Sequence, residues 1–345
     1  MASLRMKGRR HERLKRSGSV LKKEGSTIGD LPRYRELPEA PRGGRSAWGL
    51  FGTDDNLGLI NLLTPDRVAA AARLVRHGRI FPLDMPLGSI SPALAKYRGT
   101  PRHTVTHQPG SASFDDLYDN FYPQCSSQWD SLGHVGYAPD EFYNGATEDE
   151  VRSGTRNTID HWARHGIAGR AVLLDVAAAT ARGGGAYHPG ESIAIGVDEL
   201  EAARHLAGVE YADGDILLLH TGFTAWYSAQ PYQVRERLHG SVTAPGVAHT
   251  EEVCEYLWNS HAAAIGSDTF GVEVWPADPS PQAYPTGLLH RMLIGQFGMA
   301  LGELWWLKDL ADDCAADGTY EAFFVSAPFN APGGIGSPAN AVAIK

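Results

Sequence analysis

Apolar residues recur along the middle of the chain in two rhythms. Continuous apolar runs at 171–176 and 214–222, bounded by glycine or by small residues, read as strands buried on both faces, and 262–267 forms a third that ends at Asp268. Between and after them, 198–206 and 250–260 carry apolar residues at helical spacing, and 148–166 places Ile159, Trp162 and Ala163 on one helical face. Further upstream, Thr64-Pro65-Asp66 marks a helix start, because Thr64 can cap the first turn and Pro65 suits the first helical position. That helix is expected to run through 68–75 and stop at Gly78, with a strand over 80–87. Strands alternating with helices give the α/β class. No repeat and no Pro/Ser-rich linker divides the chain, so one domain is expected over 31–345.

The first 30 residues differ: they are dense in Lys and Arg, poor in apolar residues, and read as a disordered basic tail. Elsewhere no basic face is evident, and the net charge of −9 argues against a nucleic-acid partner. No apolar run is long enough for a membrane span, and the basic start is not followed by a signal-peptide core. Three scattered cysteines, Cys125, Cys254 and Cys314, form neither a disulfide framework nor a structural zinc motif. The expectation is a cytoplasmic protein acting on a small molecule, as a homo-oligomer (dimer or tetramer).

The chemistry concentrates in the run 124–134. Gln124, Gln128, Asp130 and His134 follow the spacing Gln-x-x-x-Gln-x-Asp-x-x-x-His. A helix would put positions four apart on one face; a taut loop, favoured by Gly133 and the small polar residues, would fold the same side chains around one point. Asp130 offers a charged oxygen, His134 an imidazole that can ligate or carry a proton, and the glutamines neutral carbonyl oxygens. Such a set could hold a divalent metal, more weakly than histidines would, or form a hydrogen-bonded polar turn. Cys125 is a nucleophile only if a base lies beside it. His103 and His107 flank Val105 in an alternating stretch that reads as a strand with both imidazoles on one face, lacking the Glu of a zinc-protease helix. Farther on, His290 lies in an apolar, helical stretch, and Glu303 sits between Gly302 and an apolar run.

The 124–134 run resembles the signature of the cyclase family of metal-dependent hydrolases, which includes kynurenine formamidase, isatin hydrolase and trans-dienelactone hydrolase. The usual motif is His-x-Gly-Thr-His-x-Asp-x-Pro-x-His. Here Gln124 and Gln128 stand where the two histidines usually stand, Asp130 and His134 match, Ser126-Ser127 replace Gly-Thr, and Leu132 replaces Pro. The Gln version resembles the dienelactone hydrolase branch, as does 59–65. His290 followed by Glu303 is similar to the family's distal pair, and the blocks 169–175, 214–222 and 266–269 and the C-terminal order also resemble it, with Asn340 where the family often has Arg. The resemblance implies a compact β/β/α fold with mixed parallel and antiparallel strands. It implies Gln124, Gln128, Asp130, His290 and Glu303 around zinc or manganese, and His134 as acid/base. Trp129 would suit a planar ring of the substrate.

These readings converge on a metal-dependent hydrolase of a small cyclic ester, cyclic amide or aryl formamide. A metal-free binding protein on the same scaffold stays open because two motif histidines are glutamines, as does a biosynthetic cyclase or dehydratase. The tail's charge and lack of apolar periodicity lead to a first prediction. A chain beginning near residue 30 is expected to keep the melting temperature and turnover of the full chain; a fall in either means that the tail docks on the body.

Overall fold

The computed structural model describes residues 31–345, so the expected basic tail lies outside the described residues. Thirteen strands follow in chain order: β1 (Ile80–Pro82), β2 (Arg102–His107), β3 (Phe114–Asp119), β4 (Gln128–Asp130), β5 (Ile167–Asp175), β6 (Ala194–Ile195), β7 (Ile216–His220), β8 (Gly246–Val247), β9 (Ala264–Ser267), β10 (Ala300–Glu303), β11 (Glu321–Ser326), β12 (Gly336–Pro338) and β13 (Ala341–Ile344) among the described residues. Nine form one mixed sheet in the order β1-β13-β11-β5-β7-β9-β10-β4-β12.

The centre of this sheet, β5-β7-β9-β10, is parallel, and antiparallel strands extend it on both sides. The continuous apolar runs supply that centre: Ile216, Leu217, Leu218 and Leu219 are each fully buried, as strands covered on both faces require. The helices Pro65–Ala71 and Val197–Ala207 pack on β5. The fold is thus α/β with a mixed sheet, as expected.

Local boundaries follow the capping chemistry. Thr64 accepts from the Arg67 amide and Thr250 from the Val253 amide, starting the helices at Pro65 and Glu251. The helix expected over 148–166 is two, Glu148–Arg152 and Ile159–His165. The break contains Gly154, which has φ +74° and packs so closely that a Cβ would lie 2.8 Å from the Gly333 Cα. The strand expected over 80–87 ends at Pro82, and the helix after Pro65 ends at Ala71 and gives way to a 3₁₀ turn.

β2 and β3 form a separate antiparallel hairpin whose twelve residues are all exposed. The alternation does place His103 and His107 on one face, with Tyr118 and Phe114 opposite them. Among the described residues, no helix is long and apolar enough to cross a membrane.

An aromatic layer fixes the position of the short strand β4. The Trp305 indole lies over two glycines of adjacent strands: a Cβ at Gly266 would fall 2.4 Å from its ring, and one at Gly302 2.3 Å. Trp305 stacks on Phe324 and meets Trp129 edge-on at 4.8 Å. Its Nε1 donates to the Gln128 carbonyl at 2.9 Å. Gly302→Ala is therefore expected to lower the unfolding free energy by about 1–3 kcal/mol, the usual effect of overpacking. Urea denaturation measures it; an unchanged midpoint would mean that the indole moves aside at little cost.

Candidate metal centre

The run 124–134 is neither a helix nor a simple loop. A 3₁₀ turn, Pro123–Cys125, leads into β4, and a turn closed by the His134 amide on the Ser131 carbonyl follows it. In a strand, side chains alternate. Gln128 and Asp130 therefore share one face, and register puts Glu303 of β10 opposite Gln128 on that same face. Gln128 Nε2 donates to Glu303 Oε2 at 3.2 Å and lies 3.3 Å from both Asp130 oxygens. The turn returns His134 to this face, with Nε2 3.6 Å from Asp130 Oδ1.

Glu303 is the last residue of β10. The chain turns sharply after it through Leu304, whose φ is +56°, an unfavourable conformation for a branched side chain. The Ser127 hydroxyl holds that turn, donating to the Leu304 carbonyl at 2.6 Å and accepting from the Met85 amide at 2.8 Å. His290 opens a short helix, His290–Leu293, and directs Nε2 to Glu303 Oε1 at 3.1 Å. Its Nδ1 is bonded to Glu273, which also accepts from the Leu289 and His290 amides. His249 Nε2 lies 3.1 Å from the other Glu273 oxygen.

Burial sets the electrostatics and charge modifies them. Burial pushes the Asp130 carboxyl up, Glu303 adds to the rise, and His134 opposes it without cancelling it. Burial also works against ionised Glu303, but the hydrogen bond and charge of His290 prevail and its pKa lies below the usual value. His290 is pulled well above its ordinary value because Glu273 and Glu303 outweigh desolvation. Glu273 itself falls to about 2, burial being overcome by His290 and His249. His134 goes the other way: burial lowers it more than Asp130 raises it, which favours a neutral imidazole. Arg98, anchored by Nη1 on the Gln124 carbonyl at 2.7 Å, adds a positive charge that lowers both Asp130 and Glu303.

The donor set fits a divalent cation. One ligand atom each from Asp130, His290 and Glu303 lies within 4.8 Å of the others, and all three residues are buried. Gln128 Oε1 is buried without a hydrogen-bond partner; turning the amide over would present that oxygen where its NH₂ now meets the acids. Glu273 fixes the His290 ring through Nδ1 and leaves Nε2 for a metal, as outer partners of metal-bound histidines do. Gln124 stands at the edge, its amide packed against Gly336, the register partner of Asp130.

One sequence-based assignment changes: Trp129 points to the opposite face from Gln128 and Asp130, is fully buried, and donates to Ser326 Oγ at 2.9 Å, so it packs in the core and not beside the clustered acids. Cys125 is buried, which pushes its thiol up and away from the thiolate a nucleophile needs. His103 bonds to Asp116 and His107 to the Ser111 carbonyl on the exposed hairpin. Glu273 and His249 escape sequence reasoning: a single acid between Val272 and Val274 carries no local signal.

The family described as "Putative cyclase" matches residues 82–274. A crystal structure described as a novel cyclase is 32% identical, with TM-score 0.74 over 87% of this chain and 99% of that one. Isatin hydrolase A from Ralstonia solanacearum is 17% identical, with TM-score 0.55 over 82% of this chain and 97% of that one. An isatin hydrolase bound to the product analogue thioisatinate, also 17% identical, gives TM-score 0.52 over 77% and 91%; both share the fold. No curated protein matches the sequence.

The Glu273–His290 contact generates a prediction. Glu273→Gln is expected to keep the fold and weaken zinc retention about 10–100-fold, the usual effect of losing an outer partner. Chelator competition measures it, and unchanged retention would show that His290 needs no such support.

Proposed function

Because the chain belongs to the Cyclase family, we propose that it is a metal-dependent hydrolase that opens a small cyclic ester or amide, or cleaves an aryl formamide. The observation that carries this reading is the buried Asp130–His290–Glu303 group, with the unpartnered Gln128 oxygen beside it. Asp130, Glu303, His290 and Gln128 would hold zinc or manganese, with Gln124 at the edge. When bound, such an ion polarises a carbonyl and makes water a better nucleophile at neutral pH.

The chain's own residues do the rest. Asp130 and Glu303 supply the negative charge that retains the cation, and their burial keeps competing water away. Glu273 orients His290. His134, partly buried and with its pKa lowered by that burial, can take a proton at Nε2 from the attacking water and return it to the leaving oxygen or nitrogen. This assignment separates a proton carrier from a ligand by their surroundings: His290 lies between two carboxylates, whereas His134 stands at the edge beside one.

Metal analysis of the purified protein, with turnover of a lactone, a lactam and an aryl formamide before and after chelation, tests the reading. About one equivalent of zinc or manganese and chelator-sensitive turnover are expected. Protein that binds no metal after metal-replete growth would instead be a binding module. Within the enzyme, His134→Ala is expected to keep its metal and lose about 10²–10⁴-fold in turnover, the range for a general acid/base. Asp130→Asn is expected to lose metal and turnover together. A His134→Ala protein with near-normal turnover would remove the proton-carrier role.

A further inference from the structure

We propose that the β2–β3 hairpin is a docking arm for a second copy of this chain, which covers it about a two-fold axis. Such docking needs neither the hydrolase reading nor a metal. β2 and β3 pair with each other and with no strand of the large sheet, and an isolated two-stranded hairpin is marginally stable in water. Its surroundings are also apolar. Seven of the eleven large apolar side chains exposed among the described residues lie between Leu87 and Tyr122, so this surface is gathered on the arm and the segments that flank it. Single apolar residues scattered over a surface are ordinary, whereas a gathered patch marks a place that something covers.

The two faces of the arm differ. One carries Val105, Phe114 and Tyr118, which are 58%, 66% and 46% exposed. On that face His103 stacks on Tyr118 at 4.8 Å and bonds to Asp116. The His103–Asp116 contact is the arm's one ion pair among the described residues. The other face therefore presents Arg102, Asp115 and Asp119 around Leu117 with their charges unpaired among those residues.

Size and charge single out a second copy. The exposed parts of the seven side chains come to roughly 700 Å² per copy, close to the ~800 Å² that each partner of a standard interface buries. Arg102, His103 and His107 make β2 the basic strand, and Asp115, Asp116 and Asp119 make β3 the acidic one. A two-fold axis running along the strands sets β2 of one arm beside β3 of the second, so the same patch supplies both signs, as a self-complementary interface requires. Three aspartates on one strand set the arm against an anionic membrane or a nucleic acid.

The arm is rooted beside the metal centre. Its base is tight, since a Cβ at Gly99 would lie 2.0 Å from Asn120 Nδ2. Arg98, one residue earlier, holds the Gln124 carbonyl. Docking of the arm braces the segments that carry these two residues.

Sedimentation velocity of the metal-replete full chain at about 20 μM tests the arm. The wild type is expected to sediment as a dimer. Val105→Glu combined with Phe114→Glu, both at exposed positions, is expected to weaken dimerisation about 100-fold or more and leave single chains, with circular dichroism and metal content unchanged. Tyr97→Glu, at a flanking side chain that is 73% exposed, is expected to weaken it about tenfold. Ile80→Glu, at an exposed residue of β1 on the far end of the sheet, is expected to leave the dimer intact. A tetramer that the double variant halves is equally the expected result. A wild type that remains a single chain at about 100 μM would overturn the assignment, as would a double variant that stays dimeric or an Ile80→Glu protein that dissociates as readily. A monomeric wild type that binds phosphatidylcholine–phosphatidylglycerol vesicles, with binding lost in the double variant, would give the arm to a lipid surface and overturn it too.

Discussion

Asp130 and Glu303 place two carboxylates in the same dry space, and most of what surrounds them answers that fact. A buried charge costs several kcal/mol unless it is paired and hydrogen-bonded. Gln128 spreads its two amide hydrogens over both acids. His290 lends one positive charge, but shares it with a third buried acid, Glu273. Arg98 contributes from its perch on the Gln124 carbonyl. Three buried carboxylates thus share His290, His249 beside Glu273 and the more distant Arg98, and so tight a cluster of acids is the physical reason to look for a cation there.

The group can be held this tightly because its backing is rigid. Trp305 lies flat on Gly266 and Gly302, Trp129 meets it edge-on, and Trp129 is tied in turn to Ser326. Across the sheet, Ser127 locks the left-handed Leu304 that ends the strand at Glu303. The two sides of β4 thus differ: one face carries the clustered polar side chains and the other carries packing.

The same alternation explains what could and could not be read from the chain. The buried parallel strands announce themselves as apolar runs, and the caps at Thr64 and Thr250 announce their helices. Gln128, Asp130 and His134 are legible as a group because they are close in sequence, and His290 with Glu303 through a family resemblance. Trp129 is misjudged because its direction depends on β4 being a strand, which a three-residue segment rich in small polar neighbours does not reveal. Glu273 is silent because only the tertiary fold brings it to His290. The break at Gly154 has a local signal, the glycine itself, that the helical spacing of 148–166 overrides; its close packing on Gly333 is visible only in the fold.

The hydrogen bond from Trp305 ends on the Gln128 carbonyl, not on its side chain. The placement of position 128 is therefore encoded by backbone and by aromatic residues on the far face, while the donor atom it presents is encoded by one codon. Side chain and placement are thus set separately: position 128 can take another residue without rebuilding the frame that aims it.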